Sequence, residues 1–102
     1  MNAHLLIMYP APKDPTAFDR AYHAEHLPYA GPRLKGATSV VTKRVLTPAN
    51  TTSPYHTISD VTFPSLEALQ AVASSQGGKE ALAHAASIST GGAPLILVVN
   101  DE

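Results

Sequence analysis

The sequence predicts an α+β domain of the ferredoxin-like type, a four-stranded antiparallel sheet with its helices on one face. Strand-like and helix-like stretches follow one another in the order β-α-β-β-α-β, with the second helical stretch in two pieces; this is the split β-α-β arrangement. The first and last strands are apolar on both faces, as strands buried on both sides are. Because 102 residues suffice for one core but not for two, residues 1–102 are predicted to form a single domain.

The first strand and the start of the first helix have clear signals. The apolar run at 4–9 is closed by a proline-rich segment at 10–12, which favours a short strand. Asp14 suits the N-cap of the next helix, and Pro15 suits its first position, where a missing N–H costs nothing. The first helix is therefore predicted to begin at residue 15.

An aromatic face runs along this helix. Phe18, Tyr22 and His26 follow one another at intervals of four residues, so all three project from the same side. Pro28 disfavours helical angles at the residue before it, and we expect the helix to end near His26. An imidazole then lies at the end of a face that packs onto the sheet.

The middle of the chain predicts two strands joined by a polar loop. Residues 37–46 are rich in β-branched side chains and predict the second strand. Residues 47–54 have turn chemistry throughout and predict an exposed, mobile loop. Residues 55–63 predict the third strand, in which alternation places His56 and Asp60 on the face opposite the odd-numbered residues.

The last part of the chain predicts helix, helix and strand. The apolar stripe of residues 66–74 predicts a helix that the glycine pair at 77–78 breaks. Residues 79–88 form an alanine-rich helix, which we interpret as core packing, and residues 93–100 form the fourth strand.

The helices can cover only one face of such a sheet. The other face is apolar on the first and fourth strands, and a large bare apolar face is uncommon on a monomer. We therefore expect a two-fold homodimer that packs sheet face to sheet face.

Composition excludes several classes of function. Seven basic and eight acidic side chains give a net charge of −1, which argues against nucleic-acid binding. There is no cysteine, so disulfides and thiolate chemistry are excluded. No apolar run approaches the roughly 18 residues that cross a membrane, and no cleavable signal is evident, so we expect a cytoplasmic protein.

Several segments resemble the EthD family, named for ethyl tert-butyl ether degradation. They are LLIMYP at 5–10, FxxxYHxxHLP at 18–28, PYHTISDVTF at 54–63, SLEALQA at 65–71 and STGG at 89–92. The resemblance implies a dimeric α/β-barrel, as in the wider group that includes cofactor-free monooxygenases, muconolactone isomerases and polyketide cyclases. It also implies a pocket role for His26. Reaction type does not follow from such a fold.

Three residues are the predicted catalytic candidates. His26 can exchange a proton near neutral pH, although a histidine locked by a structural hydrogen bond is the alternative. Tyr22 could hold a substrate oxygen through its hydroxyl, or be a core aromatic residue. Asp60 could orient His26 or another imidazole, point to solvent, or pair with Arg44 on the neighbouring strand.

Four further residues are predicted to line the pocket: Phe18, Tyr9, His4 and His56. For His4 and His56 the alternative is a place at the rim or on the surface, since both lie near strand ends. His23 and His26 are three residues apart, but their spacing misses the zinc-binding pattern by one residue, so no metal is predicted.

The predicted function is that of a small enzyme acting on a hydrophobic organic molecule without a cofactor. Isomerisation, cyclisation and cofactor-independent oxygenation all begin with removal of a proton beside a carbonyl or phenol, a step open to His26. One alternative is a carrier protein that binds such a molecule without turnover. Another is haem binding through His26.

Overall fold

The computed structural model describes residues 1–48 and 51–102. Its elements in chain order are β1 (Ala3–Pro10), α1 (Pro15–Ala21), a π-helical turn (Tyr22–His26), α2 (Leu27–Ala30), a 3-10 turn (Gly31–Arg33), β2 (Ser39–Arg44), β3 (Tyr55–Phe63), α3 (Leu66–Ala73), α4 (Gln76–Ile88) and β4 (Leu95–Asn100). Of the loop predicted at 47–54, Ala49 and Asn50 lie outside the described residues; the others are irregular and mostly exposed.

The strands form one antiparallel sheet in the order β2-β3-β1-β4. This is the predicted ferredoxin-like topology, in which the two central strands are not neighbours in sequence. The α+β fold class is confirmed.

The core lies between the helices and the central strands. The odd-numbered residues of β1 and β3 point into it, as the alternation predicts. From Ala3 to Tyr9 and from Thr57 to Phe63 these residues are almost fully buried, together with Phe18, Tyr22 and Leu69 from the helices.

The opposite side of the sheet, which we call the free face, carries no helix in the described part of the chain. Its apolar members are Leu6, Met8, Val41, Ile58, Leu95, Leu97 and Val99, which the strand register places on the same side. Leu97 is 40% exposed and Val41 46% exposed. The helices also leave β4 uncovered on its other side, where Ile96 and Val98 are exposed.

The first helical stretch does not end near His26, so that prediction is wrong. The chain passes through a π-helical turn, closed by the bond from the Leu27 N–H to the Tyr22 carbonyl, and continues as α2 with Pro28 in its first turn. A proline ring normally clashes with the carbonyl four residues earlier. The wider π turn displaces the carbonyls that precede Pro28, so the helix accommodates the ring.

The glycine pair at 77–78 does not break a helix, which corrects a second prediction. The boundary falls at Ser75, whose hydroxyl caps α4 by accepting a hydrogen bond from the Gly78 N–H at 3.0 Å. A Cβ on Gly78 would lie 2.0 Å from the Val72 carbonyl oxygen. Gly78 therefore allows α4 to begin against the end of α3.

Among the described residues, no helix combines the length and apolar character that crossing a bilayer requires.

Candidate functional site

A cavity of about 220 Å³ lies between the sheet and the helical layer. Its walls come from the three strands β1, β2 and β3, from the segment between the π-helical turn and the 3-10 turn, and from α4. The lining residues are Ile7, His26, Leu27, Ala30, Gly31, Leu34, Val40, Thr42, Ser59, Val61, Ala81 and Leu82.

Small residues on the helices create this space. Ala30 and Gly31 on one side and Ala81 on the other leave a gap above the sheet that larger side chains would fill. Three polar side chains interrupt the apolar lining: His26, Thr42 and Ser59. Thr42 and Ser59 are directly paired on neighbouring strands, so their hydroxyl groups share one region of the wall.

His26 is held at both ring nitrogens. It is 3% exposed; Nδ1 lies 2.9 Å from Nδ1 of His84, and Nε2 lies 3.4 Å from the Tyr9 hydroxyl. Burial, together with the nearby His84, lowers the pKa of His26 to about 4. At neutral pH the imidazole is therefore uncharged and can accept a proton.

The predicted aromatic face packs as one cluster beside His26. The Tyr9 ring contacts Phe18 and Tyr22 edge to face, with centroids 5.1 and 5.6 Å apart, and Tyr22 lies 5.7 Å from His26. Burial and the nearby Tyr22 raise the pKa of Tyr9, which keeps its phenol protonated. None of the three aromatic residues lines the cavity.

Tyr22 reaches the cavity only indirectly. Its hydroxyl lies 2.8 Å from Oγ1 of Thr42, and either oxygen can be the donor. The cluster thus fixes the orientation of a hydroxyl group that faces the cavity. Thr42 and Ser59 were not singled out from the sequence, because strand hydroxyls give no signal of their own.

His56 packs against α1 and does not line the cavity. Its Nε2 lies 3.0 Å from Oδ1 of Asp19, its ring contacts Phe18, and Arg44 reaches the same Asp19 oxygen at 3.0 Å. Burial opposes ionisation of Asp19, but the hydrogen bonds from His56 and Arg44 outweigh it and lower its pKa. In the pairing of β1 with β3, Tyr9 lies opposite Thr57 and Pro10 lies opposite Tyr55, so His56 has no partner on β1. The strict two-residue alternation fails at this irregularity, and His56 contacts α1.

Asp60 and His4 lie on the free face, across the sheet from His26. Nδ1 of His4 is 2.8 Å from Asp60 and Nε2 is 2.9 Å from Asp101, while Lys43 binds Asp60 at 3.1 Å. The structure thus joins Asp60 to another imidazole, one of the predicted alternatives, and does not join it to His26. The predicted pair of Asp60 with Arg44 is wrong.

This network on the free face is charged. Hydrogen bonds to Asp60 and then Asp101 raise the pKa of His4 against the effect of burial. Burial opposes ionisation of Asp60, but His4 and Lys43 overcome it and lower its pKa. The free face therefore combines apolar strands with one compensated polar cluster.

The sequence interpretation overlooked His84. We interpreted its alanine-rich helix as core packing, but His84 is half-buried on α4 and contacts His26. Tyr29 stacks on its other side with centroids 4.5 Å apart, and the Arg33 guanidinium lies 3.6 Å from the Tyr29 ring centre. Its sequence signal was slight: a single histidine in a helix whose neighbouring positions, Ala81 and Ala85, are small and buried.

No group of three or more potential ligands that could hold a metal ion occurs within residues 1–48 and 51–102. His23, the neighbour considered for such a role, is exposed, whereas His26 is buried. The polar side chains in and next to the cavity carry imidazole, phenol and hydroxyl groups.

The fold and the cavity define the class of protein: a ferredoxin-like α+β domain with an apolar cavity beneath its helices. The EthD domain family matches residues 11–87. The chain belongs to the EthD family. No curated protein matches the chain.

Solved structures share this fold at low sequence identity. An ethyl tert-butyl ether degradation (EthD) family protein from Bacillus halodurans has a TM-score of 0.88 at 20% identity, over 100% of both chains. A dimeric ferredoxin-like protein of unknown function from Jannaschia has a TM-score of 0.66 at 21% identity, over 98% of both chains. SnoaB, a cofactor-independent oxygenase from Streptomyces nogalater, has a TM-score of 0.65 at 11% identity, over 98% of this chain and 92% of its own.

Proposed function

We propose that this protein is a cofactor-free enzyme that binds a hydrophobic, oxygen-bearing organic molecule and uses His26 to move a proton. The observation that carries the proposal is a buried, neutral imidazole in the wall of an apolar cavity of about 220 Å³. An apolar pocket with a few polar groups is the usual form of a small-molecule site.

The polar groups define what the ligand would carry. Ile7, Leu34 and Leu82 provide apolar contact. The hydroxyl groups of Thr42 and Ser59 can bind a carbonyl or phenol oxygen. A flat ring system with one oxygen function fits this division better than a charged metabolite, since none of the described residues that line the cavity is charged.

His26 has one nitrogen suited to the reaction. Nδ1 is engaged by His84 at 2.9 Å, whereas the contact of Nε2 with Tyr9 is long at 3.4 Å. Nε2 is therefore the atom that would accept a proton from a ligand. That step begins isomerisation, cyclisation and cofactor-independent oxygenation alike, and the fold shared with SnoaB supports such chemistry.

The proposed assembly is a homodimer in which two free faces close into a barrel. The exposed apolar side chains of the free face support it, with Leu97 at 40% exposure, and so does the dimeric state of the related Jannaschia protein. The pocket would lie outside the barrel, one in each subunit.

A carrier protein is the second candidate function. The low pKa of His26, about 4, makes it a weak base, which favours binding without turnover. Haem binding through His26 would need Nε2 as the axial ligand, since Nδ1 is engaged by His84, and it would therefore replace the acid–base role proposed for that nitrogen.

Calorimetric titration with 1-naphthol and naphthalene tests the ligand class. These probes differ by one hydroxyl group, so a hydrogen bond at His26 should make 1-naphthol bind roughly three- to tenfold more tightly. In His26→Phe, which keeps an aromatic ring, the preference for 1-naphthol should fall to what the Thr42 and Ser59 hydroxyl groups alone provide. Equal binding to the wild type would contradict the proposal.

A pair of cavity variants locates the binding. Ala81→Leu extends a side chain into the cavity and should weaken both probes more than tenfold. Ala83→Leu adds the same side chain to the exposed surface of α4 and should change neither. If the two variants behaved alike, the probes would not be binding in this cavity.

A further inference from the structure

We infer that His84 is a positioning and proton-relay residue that connects the buried imidazole of His26 to solvent. The inference rests on the proposed acid–base role of His26 and extends it to a residue outside the cavity wall. Its basis is geometric: two imidazoles, one buried and one half-exposed, share a short contact through their Nδ1 atoms.

The contact requires that one of the two facing Nδ1 atoms carries a hydrogen and the other does not. The rings are nearly parallel, at 6°, with Nδ1 of one 2.9 Å from Nδ1 of the other, so one nitrogen must donate and the other accept. If His26 is to accept a ligand proton at Nε2, its Nδ1 must carry the hydrogen and His84 Nδ1 must be bare. His84 thereby holds His26 in the base-competent tautomer.

The same contact provides a path for the proton. When an N–H bond forms at Nε2 of His26, the Nδ1–H bond can break as its proton passes to Nδ1 of His84. His84 then releases its Nε2 proton to water, and both rings are again neutral. The pair ends with a proton on Nε2 of His26. Donation to the product runs the same transfers in reverse: as the Nε2–H bond breaks, His84 returns its Nδ1 proton to Nδ1 of His26 and takes a proton from water at its own Nε2, which restores the starting state.

The surroundings of His84 support a relay rather than a simple packing role. Tyr29 stacks on the imidazole, and Arg33, held over Tyr29, is paired with Glu80 at 3.3 Å. The ring is thus clamped in orientation by aromatic contacts, while no carboxylate binds it directly in the described residues. A carboxylate there would trap the proton as a stable ion pair.

The test is nitrogen NMR on protein labelled at its histidine rings, with no ligand present. In the wild type we expect a proton on Nδ1 of His26 and a scalar coupling to Nδ1 of His84 across the hydrogen bond. A bare Nδ1 on His26, or no coupling, would overturn the inference even if every variant failed to fold.

His84→Gln provides the second readout. Glutamine can still hydrogen-bond His26 but cannot pass a proton on, so exchange of the His26 ring proton with water should slow at least tenfold. His23→Gln, the same change at an exposed histidine of the adjoining turn, should leave the exchange rate unaltered. An unchanged or faster rate in His84→Gln would exclude the relay. Because no substrate is used, failure here would leave the ligand proposal standing.

Discussion

His26 owes its properties to where it is buried. A histidine in water has a pKa of 6.5, and burial beside His84 lowers that of His26 to about 4. His4 shows the opposite shift, because two carboxylates accept hydrogen bonds from its ring. The surroundings of one residue type therefore favour its uncharged form on one side of the sheet and its protonated form on the other.

The shift of His26 predicts how stability depends on pH. Between pH 6.5 and 4 the unfolded chain binds a proton at residue 26 and the folded protein does not, so the free energy of unfolding falls as the pH drops through this range. The loss attributable to His26 is about 3 kcal/mol. His26→Gln should lack it, whereas His23→Gln should retain it. Chemical denaturation at pH 7, 5 and 4 measures this, and parallel curves for wild type and His26→Gln would contradict the buried, neutral state.

At the residue scale the sequence identified the imidazole but not its partners. The four-residue spacing of Phe18, Tyr22 and His26 indicated one face, and all three are buried together. His84 is far away in sequence, and only the packing of α4 brings it to His26. For Asp60 the sequence left His26, another imidazole, solvent and Arg44 open; the structure pairs it with His4 on the free face, a choice that depends on which face of the sheet the helices cover.

At the element scale, the strands were predicted well and the helix boundaries less well. The third strand was predicted at its observed bounds, Tyr55–Phe63, since two-residue alternation and flanking turn residues are local signals. The π-helical turn was missed because its extra residue has no sequence signature apart from the proline that it accommodates. Gly78 was interpreted as a helix breaker, whereas its small size serves a close contact between two helices.

Two glycine substitutions test that interpretation. Gly78→Ala should lower the free energy of unfolding by roughly 1–3 kcal/mol, because its Cβ would meet the Val72 carbonyl at 2.0 Å. A Cβ added at Gly31 would have no heavy atom within 4 Å, and the backbone angles there are helical. Gly31→Ala should therefore raise the free energy of unfolding by about 0.5–1 kcal/mol. Thermal and urea unfolding give both values. A stabilising Gly78→Ala would show that α3 and α4 do not meet so closely.

At the scale of the whole molecule, the free face exposes more apolar side chains than a single subunit in water would be expected to expose. Helices cover the central strands on one side only, and β4 is exposed on both sides. The sequence predicted the apolar character of this face from the two-sided apolar pattern of the first and last strands. It did not predict the polar cluster around Asp60, which lies on the same face.

A single charge on the free face tests the proposed dimer. Leu97 pairs with Leu6 near the middle of β1 and β4, and a carboxylate there would have to be buried without a partner in a sheet-to-sheet interface. Leu97→Asp should therefore sediment as a monomer in analytical ultracentrifugation, while the wild type sediments as a dimer. Ala71→Asp, on the exposed surface of α3, is the matched control and should stay dimeric. A monomeric wild type would contradict the proposed assembly.

The most direct measurement of the proposed chemistry is exchange of the α-protons of 2-tetralone in deuterated water, followed by proton NMR. This probe is an apolar bicyclic ketone, so it presents a removable proton beside an oxygen that Thr42 and Ser59 could bind. The wild type should accelerate the exchange over buffer, and His26→Phe should bind the ketone yet exchange it only at the buffer rate. If His26→Phe accelerated exchange as much as the wild type, His26 would not be the acid–base group. If the wild type bound the ketone without accelerating exchange, the protein would be a carrier.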